Sequence, residues 1–127
     1  MVEQLIKDYA HFHDAIILNF EHKTDIEADN VYESRIQQVI LELSCYRSFA
    51  NFEKDTIRIR FIDVEDFRYI KRDDMVTSLF IGKENEFYVI DFDPILTTDK
   101  SGDWVRKKNP DSVLQVKFKE LFYEVIK

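Results

Sequence analysis

Glycine, proline and cysteine are almost missing from this chain, which has two, two and one of them among 127 residues. Two glycines cannot supply a P-loop or a dinucleotide-binding turn, since each needs several at fixed spacing around a phosphate. The single Cys45 cannot build an internal disulfide framework, and within "LELSCY" it reads as a small buried thiol rather than a reactive one. Positive charge is scarce as well: 18 Lys and Arg face 25 Asp and Glu, for a formal net charge of -7, and the longest basic run is "RKK" at 106–108. A surface of that sign repels phosphate backbones and anionic lipid, which argues against nucleic acid and membrane as partners. No apolar run approaches the roughly 20 residues that span a bilayer. The opening "MVEQLIKDYAHFHD" has neither the basic nor the apolar region of a signal peptide, so a cytoplasmic location is expected.

What the chain does have is apolar and aromatic bulk. Hydrophobic residues make up 45% of it and aromatics 14%, enough for one aromatic-heavy core and hence a single β-rich domain over residues 1–127. Val2, Leu5, Ile6 and Tyr9 fall at helical spacing, which predicts a short amphipathic helix over 2–10. The period then changes to that of strands. "FHDAIILNFEH" sets Ile16, Leu18 and Phe20 against Ile17 and Asn19, and "IQQVILELSCY" sets Val39, Leu41 and Leu43 against Ile40, Glu42 and Ser44. In "TIRIRFIDVEDFRYI" the apolar parity slips after Phe61, which predicts a bulge near 61–63. "MVTSLFIG" and "EFYVIDFD" flank "KENE" and read as a hairpin. Residues 95–111 read as a long irregular loop, with Trp104 either a contact residue or folded back on the sheet. "SVLQVKFKELFYEVIK" fits both a helical face and strand alternation. The fold expected is mostly β (α+β): a curled antiparallel sheet of about six strands, or a sandwich, with a short N-terminal helix.

Chemistry-bearing residues are few. His11 and His13, two apart on a strand, share a face and could start a zinc site with a carboxylate, which is the alternative reading of a small metal-dependent enzyme or ligand binder. His22 has the opposite parity, and the glycine-rich turns and further Asp and His ligands of metallo-hydrolases do not follow. The better-founded reading makes His13, Asp14 and Ala15 a structural corner between helix and strand, so no metal and no cofactor are expected. Asp91 and Asp93 in "DFD" share a face, open to metal binding or like-charge repulsion, with the competing account that they pair with exposed arginines such as Arg58 and Arg60 or stay solvated. Acids gather at Asp63, Glu65, Asp66, Asp73 and Asp74. No nucleophile elbow or Cys–His pairing is evident, so no catalytic residue is assigned.

The order "FHDAIILNFEH", "VILELS", "IRIRFIDVEDFRYI", a hairpin and "SVLQVKFKELFYEVI" resembles small bacterial β-rich proteins that open on a His-Asp-Ala strand. Through "FIDVEDF" and "VKFKELFYEVI" it is similar to the immunity protein 50 family of polymorphic-toxin systems. The resemblance implies one β-sheet domain that neutralises a toxin by binding it, without catalysis, and tips 112–127 toward strand. On that expectation the partner is a protein, such as a basic bacterial toxin domain, met by Asp63, Glu65, Asp66, Tyr69, Asp73, Asp74 and Trp104. Acids steer a basic partner and aromatics anchor it. An exposed sheet edge forming a homo-oligomer is a further expectation.

Overall fold

The computed structural model describes residues 2–9, 14–26, 35–47, 53–71, 75–76 and 78–126. The helical spacing at the start gives α1 (Val2–Tyr9), which buries Val2, Leu5 and Tyr9 and keeps Glu3 and Lys7 at the ends that suit the helix dipole. The strands follow as β1 (Ala15–Ile26), β2 (Arg35–Tyr46), β3 (Lys54–Ile62), β4 (Asp66–Tyr69), β5 (Met75–Val76), β6 (Phe80–Glu84), β7 (Phe87–Asp91), β8 (Ile95–Thr98), β9 (Trp104–Lys107), β10 (Leu114–Phe118) and β11 (Glu120–Val125). Every pairing among them is antiparallel. They form a first sheet in the order β11-β3-β2-β1-β5, a second in the order β4-β10-β7-β6, and a separate hairpin β8-β9. The mostly-β class is as expected; the strands are more numerous than the six anticipated, because the later segments divide into short strands while β1 and β2 run to 12 residues each.

Alternation decides which face of each strand turns inward. Val39, Leu41, Leu43 and Cys45 of β2 and Ile57, Ile59 and Phe61 of β3 are fully buried, and so are Leu114, Val116 and Phe118 of β10 within a percent. Phe61 from one sheet meets Phe118 from the other edge-to-face at 4.8 Å. Burial of one such side chain is worth about 1.5–3 kcal/mol, so these facing rows carry the fold. The helix covers the same inner face alongside the second sheet: Tyr9 stacks edge-on against Tyr123 of β11 and donates its hydroxyl to Asp55 of β3 at 2.9 Å.

Three departures from the sequence pattern have physical causes. Parity in β1 flips between Ile17 and Asn19, where the register against β2 shifts, so Leu18 is left 53% exposed instead of sharing a face with Phe20. The slip after Phe61 is not a bulge inside one strand. There β3 ends at Ile62, Asp63 takes a left-handed backbone (φ 54°), and the chain crosses to the second sheet as β4. The C-terminal segment crosses back beside it, from β10 to β11 through Lys119. The Lys119 N–H donates to Ile62 O and the Glu65 N–H to Lys117 O, so the two strands bend as one ribbon. Finally, residues 75–82 do not form one arm of a hairpin. Met75 and Val76 pair with β1 in the first sheet, and the hairpin is β6-β7, turning at Asn85 (φ 58°) and Glu86. Gly82 lies within β6 because the Phe80 ring covers it; a Cβ there would meet the ring at 2.9 Å.

Candidate functional site

The outer face of the second sheet carries the polar machinery. Gln115 and Lys117 of β10 stand opposite Asp91 and Val89 of β7 on one side, and opposite Arg68 and Asp66 of β4 on the other. Across this face runs a chain of ion pairs: Glu65 to Lys117 at 3.3 Å, Lys117 to Glu84 at 3.6 Å, and Glu84 to Lys108 at 2.9 Å. Lys117 is held protonated above its ordinary range, chiefly by the hydrogen bond to Glu65. The same groups, with Asp66, Phe67, Arg68, Val89 and Gln115, line a shallow depression of about 120 Å³. Acids from the 63–66 corner and the root of the β8-β9 segment thus share one surface.

Asp91 sits beneath it, fully buried. Four donors converge on its carboxylate: the Asp93 N–H (2.8 Å) and Ser112 Oγ (2.6 Å) on Oδ1, and the Asn109 N–H (2.7 Å) and Gln115 Nε2 (3.1 Å) on Oδ2. That matches the acceptor capacity of a carboxylate with no cation required. Asp93 accepts from the Val113 N–H, and Asn109 Nδ2 donates to Asp93 O at 2.9 Å. The "DFD" pair is therefore a knot that ties 109–115 to the end of β7. Arg58 is engaged elsewhere, between Glu42 and Glu124, so the pairing of these aspartates with arginines is corrected. Among the described residues, no group of three His, Cys, Asp or Glu is arranged to hold a metal ion.

From this knot an arm projects. Residues expected as an irregular loop form the hairpin β8-β9, closed by Asp99, whose Oδ1 accepts from the N–H groups of Ser101 and Asp103 and from Ser101 Oγ. Those bonds hold the Asp99 carboxyl below the usual carboxylate range, the Ser101 side chain contributing most. Gly102 completes the turn with φ 85°, a backbone that side chains other than glycine resist. Trp104 is 73% exposed and Leu96 56%, and both lie on one face of the hairpin. Trp104 is thus presented outward and not folded back on a sheet edge.

The other predicted residues divide. Asp63, Glu65 and Asp66 are exposed at the corner. Tyr69, counted with them, turns inward: it stands opposite Leu114, and its ring packs on Phe20 at 4.4 Å. Its assignment to the partner surface is corrected, because β4 sends alternate side chains to the core. Asp14 adopts a left-handed backbone (φ 61°) and Ala15 is fully buried, in keeping with a tight corner. His22 stacks against Phe67 at 4.4 Å. Cys45 is fully buried, and burial pushes its thiol up to about 12, which keeps it an inert thiol. His11, His13, Asp73 and Asp74 lie outside the described residues. Sequence reasoning missed Leu96, Ser112 and Gln115; only the Asn-Pro-Asp-Ser turn chemistry at 109–112 hinted at a fixed corner.

Comparison with protein-family models, with characterised proteins and with solved structures finds no match. No helix among the described residues is long and apolar enough to cross a membrane.

Proposed function

We propose that this chain is a non-enzymatic protein-binding module, and that its partner is a basic protein domain steered by the acids of the 63–66 corner and anchored on the aromatic Trp104 of the arm. The observation that carries the reading is the outward Trp104 beside Leu96, on a hairpin braced by the buried Asp91 knot. An aromatic side chain with only two rotatable bonds, on a hairpin whose root is fixed, loses little entropy on binding, and Trp is among the residues enriched at energetic centres of interfaces. Asp63, Glu65 and Asp66, exposed on a chain of net charge -7, supply long-range attraction for a cationic partner. The resemblance to immunity protein 50 makes that partner a toxin domain of the same system.

The test uses the polypeptide encoded directly upstream of this chain's reading frame. Expressed alone it is expected to arrest a host cell, and co-expression of this chain is expected to rescue growth and yield a co-purifying complex. Trp104→Ala is expected to weaken that complex by about tenfold or more. Asp63, Glu65 and Asp66 changed together to Lys should slow association rather than speed dissociation. Absence of both rescue and complex overturns the reading. Stoichiometric zinc in the purified protein, lost in His13→Ala, would replace it with a metal site.

A further inference from the structure

The β8-β9 arm is a two-stranded sheet that pairs with no other strand among the described residues, so the outer edge of β9 has main-chain groups with no strand beside them. The phase of its ladder is fixed at the turn. The Asp99 N–H donates to Asp103 O, so 99 and 103 form a hydrogen-bonded pair. Alternation along the register then makes Thr97–Val105 and Ile95–Lys107 hydrogen-bonded too, and leaves the N–H and C=O of Trp104 and Arg106 pointing away from β8.

Read along that edge, residues 103–107 are Asp-Trp-Val-Arg-Lys. Antiparallel pairing of this strand with itself about a twofold axis at Val105 opposes Asp103 to Lys107 of the other copy and Trp104 to Arg106 of the other copy. Each contact is made twice. The first is an ion pair and the second a cation–π pair, and both are favourable cross-strand neighbours. The same register brings the outward N–H and C=O of Trp104 against those of Arg106 in the second copy, as an antiparallel ladder requires. Moving the axis to Trp104 removes both charge pairings, and moving it to Arg106 sets two guanidiniums face to face. The free edge of β8, Ile95–Thr98, has no charge to match.

We propose that this chain self-associates as a twofold dimer through the β9 edges, making a four-stranded sheet β8-β9-β9-β8 from two arms, centred on Val105. The segment 95–108 has four basic and two acidic side chains on a chain of net charge -7, so each arm also approaches an acidic body. The symmetry places both Leu96–Trp104 faces on one side of the new sheet, which doubles the surface offered to a partner. A short strand edge is a small interface, so association lies in the micromolar to millimolar range.

Sedimentation equilibrium on the full chain alone, without any partner, tests this. A concentration-dependent monomer–dimer equilibrium is expected, weakened about tenfold or more by Lys107→Glu because the broken pair occurs twice. The double change Asp103→Lys with Lys107→Asp restores the opposite-charge pairing and is expected to recover the dimer. Val105→Cys places two thiols at a close non-hydrogen-bonded pair and should oxidise readily to a covalent dimer. Thr97→Cys, on the same face but three strand spacings (roughly 14 Å) from its mate, should not. Buried Cys45 stays out of the reaction. A monomer at all concentrations, a dimer indifferent to the charge exchange, or equal cross-linking of the two cysteine variants would each overturn the dimer. None of these results bears on capture of a toxin, which is read by rescue and co-purification.

Discussion

Asp55 and Asp91 are both carboxylates with almost no exposure, 6% and 0%, yet they are held in opposite ways. Asp55 meets a cation: Arg47 grips it through two nitrogens at 2.6 and 3.0 Å, and Tyr9 adds a hydroxyl at 2.9 Å. Its partner is half in water and touches Glu53 as well, so charge is traded near the surface. Asp91 meets four neutral donors drawn from 93, 109, 112 and 115. The first arrangement fastens a helix to a sheet. The second fastens one stretch of chain to another and so gives the arm a fixed root. An ion pair with one exposed member can rearrange when broken, whereas the two backbone N–H groups aimed at Asp91 are fixed by the chain and cannot turn to another acceptor.

Substitution should expose that difference. Asp91→Ala leaves the Asp93 and Asn109 N–H groups without their acceptor, while Ser112 Oγ and Gln115 Nε2 keep Leu114 O and Asn109 O, and is expected to cost about 3 kcal/mol in urea unfolding, with faster amide exchange along β8 and β9. Asp55→Ala should cost less, about 2 kcal/mol, since Arg47 can turn to solvent or Glu53 and only the buried Tyr9 hydroxyl loses its acceptor. Equal losses would erase the distinction. The pH dependence sharpens it further. Arg47, by its hydrogen bonds, holds Asp55 below the usual carboxylate range. The stability from this pair is therefore full above about pH 4, where a free carboxylate ionises, and disappears as pH falls through the depressed value of Asp55. Arg47→Met should flatten that acid limb.

On the alkaline side the helix dock has a second signature. Burial, then the nearby Asp8, pushes Tyr123 up to about 12, and burial with Asp55 raises Tyr9 further. The neutral phenols are favoured in the fold, so their contribution is intact below the ordinary phenol value of about 10 and is lost as pH climbs through the raised values. Tyrosinate absorbance should show two late-titrating groups, one of them absent in Tyr123→Phe. The smallest effect expected is Gly102→Ala in the arm's turn, about 1 kcal/mol from the left-handed backbone alone, since a Cβ there meets open space.

Much of the scaffold was legible. Helical spacing gave α1 to within a residue, and alternation gave β2, β3 and the inward rows. Alternation fails where a strand leaves its sheet, because a parity slip looks the same whether one residue bulges or the chain crosses to another layer. Asp63 and Lys119 mark two such crossings. The arm was hidden for a different reason: a hairpin with exposed side chains on both faces shows no amphipathic contrast, so 95–107 resembled loop. The burial of Asp91 came from Asn109, Ser112 and Gln115, brought over it by tertiary folding. Tyr69 faced inward for the same non-local reason, its pairing with Leu114.

The shared ribbon at Asp63 and Lys119 has a consequence for biosynthesis. β3 and β4 find their partners in β11 and β10, which are made some fifty residues later (Lys119 follows Ile62 by 57 positions). While the ribosome is still adding residues 63–113, β3 lacks one neighbour and β4 lacks the only strand it pairs with among the described residues. Both layers close only after the stretch 114–125 is made and threads into each, so a nascent chain paused before Leu114 should bind chaperones that a chain extended past Val125 escapes.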